Sequence, residues 1–296
     1  MNNRSVTRNS FTFTASFLLL ILASFFTNQS KAQWSSGKYM KQAFVRTINY
    51  AKNYESSSST FGFAKGLSFL GTFLDASGGK SNFTLDLKSD KTYVIMGGGD
   101  DDATDVDIKI SKDGVTLASD TKTDNLPSVT FSPSYSGRYV LTLSNYAKTK
   151  AYCCLVILES GGLVLNTDRM KEAQNSMFAL ASIVNEVSTT GVAFQSKENS
   201  WCVYGYLLEQ GTDNSIYGMP LRDGSKHYLV AVGDDSVKDI DLCATVDGTE
   251  TSCNKEMDAT PLVTISKATS SSTYGFRVKN IKSEHTGFVL VSILRE

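Results

Sequence analysis

Residues 93–108 read YVIMGGGDDDATDVDI, and residues 228–242 read YLVAVGDDSVKDIDL. In each stretch an apolar run ends at glycine and aspartate, then resumes as aspartate alternating with apolar residues. Alternation with a period of two on both sides of a turn indicates a strand, an acidic turn and a second strand. Because the pattern occurs twice, the sequence predicts a duplicated β unit.

The intervals between landmarks support the duplication. The aspartate after each acidic turn, Asp105 or Asp239, lies nine positions before the glycine of the next turn, and that glycine lies thirteen positions before a proline. Short apolar runs separated by turn residues favour a sandwich or a barrel in both halves. A helical period precedes each half, over about residues 36–56 and 167–187, with Thr167 or Asp168 as the expected cap of the second helix.

The N-terminus is typical of a secretory signal peptide. Arg4 and Arg8 precede an apolar run at residues 17–26, and Ser30-Lys31-Ala32 follows. A run of about ten residues is too short to span a bilayer comfortably, so we expect cleavage after Ala32 and export to the periplasm or the cell exterior, without stable membrane insertion. The remaining chain has 26 basic and 30 acidic residues, a formal charge of −4, which argues against nucleic acid as a partner.

The spacing of two cysteines predicts a disulfide. Cys243 and Cys253 flank the turn Asp247-Gly248-Thr249. A three-residue loop would place them directly opposite each other in a hairpin, close enough to bridge. Cys153 and Cys154 are neighbours in an apolar run and would point to opposite faces of a strand, so we predict no bridge between them.

Four segments together carry a resemblance to a known family. They read DVDI at 105–108, DGVTLASD at 113–120, VTF at 129–131 and SGRYVLTL at 136–143. This order resembles the bacterial pre-peptidase C-terminal domain over residues 83–158, and less closely over 217–294, where the second half lacks the glycine before Tyr274 and has Asn254 in place of an aspartate. The resemblance implies a jelly-roll β-sandwich that accompanies exported proteins and is not itself catalytic.

The predicted fold class is therefore mainly β, with two antiparallel jelly-roll-like β-sandwich domains, each preceded by an amphipathic α-helix. The predicted boundaries are a signal peptide at 1–32, a helix and linker at 33–60, a first sandwich at 61–160, a helix at 161–190 and a second sandwich at 191–296.

The acidic turns are the candidate metal site. Hard cations such as calcium take six to eight oxygen ligands, which carboxylates and backbone carbonyls of a turn can supply. The alternative is that these carboxylates accept backbone N–H groups or are solvated. No other cofactor is predicted. The candidate ligands are Asp100, Asp101, Asp102, Asp105, Asp107, Asp234, Asp235, Asp239 and Asp241.

No catalytic residue is predicted. His227 and His285 are the two histidines, and neither belongs to a serine-hydrolase or zinc-protease motif, so we expect both at the surface. Trp201, Tyr204 and Tyr206 could form an aromatic binding surface, although alternation also allows core packing.

We expect an exported, non-catalytic binding or structural protein whose partner is an unknown protein or polysaccharide of the cell envelope. The alternatives are a calcium-stabilised adhesion module and a secreted hydrolase with an unrecognised site.

Overall fold

Two helices are present among the residues that the structure describes. The computed structural model describes residues 35–58 and 60–296, so the predicted signal peptide and its cleavage site lie outside the described residues. Helix α1 spans Ser35–Ser57 and α2 spans Thr167–Val187, as the helical periods predict. The cap of α2 is Asn166, one residue before the expected position, because its Oδ1 accepts the N–H of Asp168.

Nine strands follow each helix. Those of the first repeat are β1 Phe61–Phe63, β2 Gly66–Leu74, β3 Gly79–Leu87, β4 Tyr93–Gly99, β5 Val106–Lys112, β6 Val115–Asp120, β7 Ser128–Phe131, β8 Gly137–Asn145 and β9 Ala151–Ser160. Those of the second are β10 Ala193–Phe194, β11 Val203–Leu208, β12 Asp213–Met219, β13 His227–Gly233, β14 Val237–Val246, β15 Thr249–Asn254, β16 Leu262–Ile265, β17 Tyr274–Ser283 and β18 Gly287–Arg295.

The two repeats have the same strand order. In the first, one sheet runs β7-β4-β9-β2 and the other β6-β5-β8-β3. In the second, the orders are β16-β13-β18-β11 and β15-β14-β17-β12. Two antiparallel four-stranded sheets in this order form a jelly roll. The predicted mainly β, sandwich-type fold class is confirmed.

The two sandwiches are joined, which the sequence does not predict. Strand β2 pairs antiparallel with β11, so one sheet of each sandwich becomes part of a single sheet. The short strands β1 and β10 pair with β9 and β18 and bring this sheet to ten strands. Gly205 permits this pairing, because a Cβ at that position would lie 2.7 Å from the Cβ of Phe69 on the neighbouring strand. Each four-stranded sheet remains separate and packs on the same face of the shared sheet, over one continuous apolar core.

The helices cover the other face of the shared sheet. The ring of Phe44 on α1 lies 4.3 Å from that of Phe69 on β2. Thr47 packs so closely on β4 that a Cβ at Gly98 would lie 2.6 Å from its Oγ1. Because both faces of the shared sheet are buried, its strands carry mainly apolar residues on both faces, as in the run from Tyr152 to Leu158, and do not alternate. Neither helix is long and apolar enough to cross a membrane.

Candidate functional site

A groove lies where the two repeats meet. Within the described residues β3 pairs with β8 alone and β12 pairs with β17 alone, so each is a free edge of its four-stranded sheet. Since β2 and β11 are neighbours in the sheet beneath, these two edges face each other. The groove between them has a volume of about 890 Å³ and is lined by residues of both repeats. We call it the junction groove.

The floor of the junction groove is apolar and aromatic. The ring of Phe83 on β3 lies 6.2 Å from that of Trp201 and 6.4 Å from that of Tyr204. Phe83 and Ile216 belong to the edge strands and are only half-buried, so part of each side chain faces the groove. Tyr217 is 67% exposed at the rim. A ligand could therefore bury apolar surface that the fold leaves exposed.

Backbone groups of β3 also face the groove. The N–H of Asn82 donates to Oδ1 of Asn199, and Nε1 of Trp201 donates to the carbonyl of Asn82, both at 2.8 Å. The backbone of Asn82 therefore points away from β8. Alternation along an antiparallel edge then points the N–H and carbonyl groups of Thr84 and Asp86 into the groove.

The free edge of β12, on the opposite side of the groove, has fewer backbone groups available for hydrogen bonding. The N–H of Ser215 on β12 is occupied by Oδ1 of its neighbour Asn214, at 2.9 Å. A register shift between Tyr217 and Met219 then bends the end of the strand. Of the two edges, β3 consequently offers the more accessible row of backbone hydrogen-bonding groups.

The predicted aromatic binding surface is not exposed. Trp201 and Tyr204 are 4% and 2% exposed and contribute only to the groove floor, while Tyr206 is fully buried in the core. Burial raises the pKa of both tyrosine hydroxyls. Tyr206 is therefore a core residue, as alternation allows, whereas a binding role for Trp201 and Tyr204 at the groove floor stays a prediction.

The acidic turn of the second repeat is held by an arginine of α2. Nε of Arg169 donates to Oδ2 of Asp234 at 3.0 Å, and the same oxygen accepts the N–H of Phe288. Oδ1 of Asp234 accepts the N–H and hydroxyl of Ser236. Asp235 lies at the edge of this group, 3.9 Å from Arg169. A guanidinium and N–H groups thus surround the buried carboxylate of Asp234.

The first repeat has a similar arrangement with another arginine. Asp100 is buried and accepts the N–H groups of Asp102 and Tyr152. Burial raises its pKa, which these two hydrogen bonds partly counteract. Arg46 of α1 donates to the carbonyl of Asp100 and forms an ion pair with the exposed Asp101 at 2.7 Å.

Two further aspartates of the acidic turns, Asp107 and Asp239, lie near carboxylates that are not among the nine predicted ligands. The pKa of Asp107 is raised by burial and by repulsion from Asp105, Asp120 and Asp124. The pKa of Asp239 is likewise raised by burial, and then by repulsion from the carboxylates of Asp241 and Asp258. The sequence contains one signal for these carboxylates, which is their equal spacing in the two repeats. Asp124 lies nineteen positions after Asp105, and Asp258 lies nineteen positions after Asp239.

The nine predicted ligands do not gather at one point. Within residues 35–58 and 60–296, the one group of three metal-ligand side chains with all ligand atoms within 4.8 Å is Cys243, Glu250 and Cys253. Two of these form a disulfide. A calcium ion at the acidic turns therefore stays a prediction.

We expect calcium to leave the melting temperature unchanged, as the alternative interpretation of the acidic turns predicts. Two backbone N–H groups already occupy the buried carboxylate of Asp100, and Arg169 and N–H groups occupy that of Asp234. The measurement is thermal unfolding in excess calcium and in chelator. A ligand that binds only the folded state must raise the melting temperature. A rise that disappears in Asp107→Asn but persists in Asp101→Asn would contradict this expectation and place the ion among the strand aspartates.

The predicted disulfide is present. Cys243 and Cys253 lie directly opposite each other on β14 and β15 with a Cα–Cα distance of 4.0 Å. The connecting loop has two residues, Asp247 and Gly248, both with positive φ, and differs from the predicted three-residue loop. A bulge between Ala244 and Thr245 supplies the shift that brings the cysteines opposite each other.

The other cysteines are buried thiols. Cys153 faces the sandwich core, whereas Sγ of Cys154 lies 3.8 Å from Sδ of Met40 on α1, as expected for neighbours on a strand. Cys202 is buried near Gly71. Burial raises the pKa of all three thiols, which disfavours the reactive thiolate.

The two histidines lie in different environments. His285 is exposed, as expected, but the prediction for His227 is wrong: it is fully buried, because β13 is paired on both sides at this position. Its Nε2 accepts the N–H of Arg222 at 3.4 Å. Burial lowers the pKa of His227 to about 4. Neither histidine lines the junction groove.

Comparisons with known proteins do not assign a family. No protein-family model matches the chain, and no curated protein matches it. The resemblance to the pre-peptidase C-terminal domain is thus supported only at the level of a β-sandwich.

Several solved structures show a distant likeness. One contains the tandem family 51 carbohydrate-binding modules of a family 98 glycoside hydrolase from Streptococcus pneumoniae, with 13% identity, 76% of this chain and 82% of that chain covered, and a TM-score of 0.26. Another is a tandem of family 22 carbohydrate-binding modules from Paenibacillus barcinonensis, with 12% identity, coverages of 80% and 93%, and a TM-score of 0.22. The major capsid protein of bacteriophage PM2 has 9% identity, coverages of 77% and 97%, and a TM-score of 0.22. Superpositions at these scores assign the chain to none of these families.

Proposed function

We propose that this protein is an exported, non-catalytic binding protein that holds an extended polymer of the cell envelope in the junction groove. The observation that carries the proposal is the groove itself, which both repeats build from facing sheet edges above a shared sheet. The duplication thereby creates a site that neither sandwich contains alone.

The lining of the groove fits binding. Ligand sites combine a mainly apolar surface with a few polar groups that fix orientation. Here the floor is formed by Phe83, Trp201 and Tyr204, and the amides of Asn82 and Asn199 stand beside it. An elongated groove that is open to solvent suits a segment of a polymer better than a small molecule.

Export is supported by two features. The N-terminal sequence has the order of a signal peptide. The Cys243–Cys253 disulfide is typical of proteins outside the reducing cytosol. Together they favour a protein that meets its ligand in the periplasm or at the cell exterior.

Tyr217→Ala is expected to weaken ligand binding at least about tenfold, since truncation of an aromatic hot spot costs about 2 kcal/mol or more and about 1.4 kcal/mol already corresponds to tenfold. The matched control is Tyr135→Ala, because Tyr135 is 75% exposed and lies outside the groove. The probes are purified peptidoglycan, a panel of soluble polysaccharides and a library of random dodecapeptides. Affinity is measured by sedimentation or titration.

Three outcomes would contradict the proposal. Absence of binding to all probes would remove the binding function, and equal losses in both tyrosine variants would remove the groove as its site. Release of cleaved product from a probe would identify a hydrolase instead.

A further inference from the structure

We infer that the ligand of the junction groove is an extended peptide segment of no net charge, which adds to the free edge of β3 as an extra strand. The inference rests on the proposed function and names the class of polymer. It follows from the backbone of the edge, the shape of the floor, the volume of the groove and its charges.

The backbone of β3 presents a row of unpaired groups. The hydrogen bonds from the backbone of Asn82 to Asn199 and Trp201 show that its N–H and carbonyl groups point away from β8. The N–H and carbonyl groups of Thr84 and Asp86, at alternate positions, point the same way, into the groove. A peptide strand offers N–H and carbonyl groups at the matching spacing, so main-chain hydrogen bonds supply affinity. A polysaccharide has no such repeat of alternating donors and acceptors.

The floor of the junction groove can bury alternate side chains of a peptide strand that is added beside β3. A strand added beside β3 directs every second side chain toward the shared sheet and the others toward solvent. The inward side chains meet Tyr204 and the half-buried faces of Phe83 and Ile216. The groove therefore selects a segment in which apolar residues alternate with polar ones.

The volume matches a short strand. One residue of a packed strand takes up about 160 Å³, from roughly 3.3 Å of rise, 4.8 Å between strands and 10 Å between sheets. The volume of about 890 Å³ thus accommodates about five or six residues. The free part of β3 beyond Asn82 runs from Phe83 to Leu87 and has a similar length.

The charged lining is balanced. Lys65 and Arg138 are opposed by Asp86 and Glu198, all four of them exposed. A lining without net charge complements a segment without net charge and does not favour an anionic polysaccharide.

The decisive variant is Thr84→Pro. Proline removes the N–H that faces the groove and leaves the pairing of β3 with β8 intact, because an edge strand tolerates proline when its N–H points outward. Thr84→Ala keeps the N–H and is the matched control. The probe is a phage-displayed library of random dodecapeptides, followed by synthetic copies of the selected sequences. Thermal unfolding shows whether each variant is folded.

The wild-type protein is expected to select peptides in which apolar residues recur with a period of two. Thr84→Pro should weaken their binding at least about tenfold at a nearly unchanged melting temperature, whereas Thr84→Ala should bind as the wild type does. N-methylation of a selected peptide should weaken binding at alternate positions. If Thr84→Pro unfolds, this N-methylation pattern on the wild-type protein is the deciding result.

Two results would overturn the inference. One is peptide binding that is insensitive both to Thr84→Pro and to N-methylation. The other is selection of no peptide while a polysaccharide binds and loses affinity in Tyr217→Ala, in which case the proposed function stands and the peptide ligand does not.

Discussion

Replacement of Arg169 by methionine is expected to lower the free energy of unfolding by about 3 kcal/mol. The side chain of Asp234 is fully buried and that of Arg169 is 18% exposed, so the variant leaves a buried carboxylate without its counter-charge. It also removes hydrogen bonds to the hydroxyl of Ser236 and the carbonyl of Thr286. Urea denaturation at neutral pH measures the loss.

The first repeat contains the matched control. Arg46 reaches the equivalent acidic turn from α1, but its carboxylate partner Asp101 is 60% exposed. Exposed ion pairs contribute about 1 kcal/mol or less, so Arg46→Met is expected to cost much less than Arg169→Met. Equal losses in the two variants would contradict the role assigned to the buried charge.

A double-mutant cycle separates charge from packing. If the unpaired, buried carboxylate of Asp234 causes the loss of stability in Arg169→Met, adding Asp234→Asn should recover part of it, because the buried charge is then removed. Additive losses in the double variant would instead indicate that the packing of the arginine stem is what matters.

The duplicated sandwich could be predicted from the sequence because its signals are local. Short apolar runs, the Asp-Gly turns and equal intervals repeat at a fixed spacing along the chain, and the structure has the same strand order in both halves. The disulfide was also predicted, although a bulge compensates for a loop shorter than expected.

The junction between the sandwiches could not be predicted. Pairing of β2 with β11 joins residues more than 130 positions apart, and an apolar pattern specifies which face of a strand is buried but not which edges meet. The junction groove depends on this pairing, so the roles of Thr84 and Ile216 had no signal in the sequence. The burial of Tyr206 and His227 has the same origin, because both lie on strands with neighbours on each side.

The buried histidine predicts that stability falls in mild acid. The pKa of His227 is lowered to about 4 by burial and, to a lesser extent, by the positive charge of Arg295, against about 6.5 in the unfolded chain. The unfolded state therefore takes up the proton first. The stability that neutral His227 contributes is fully present above about pH 6.5 and is lost as the pH falls toward 4.

Between pH 7.5 and pH 5 the free energy of unfolding is expected to fall by about 2 kcal/mol from this group alone. Other groups also titrate in this range, so the contribution of His227 is measured as the difference between the wild type and a variant without this histidine. Urea denaturation at both pH values should show that His227→Gln, which cannot take up a proton, loses about 2 kcal/mol less than the wild type. His285→Gln replaces the exposed histidine and is the matched control for the loss of an imidazole. Parallel pH profiles of His227→Gln and the wild type would show that the folded protein accommodates a charged His227, contrary to the burial argument.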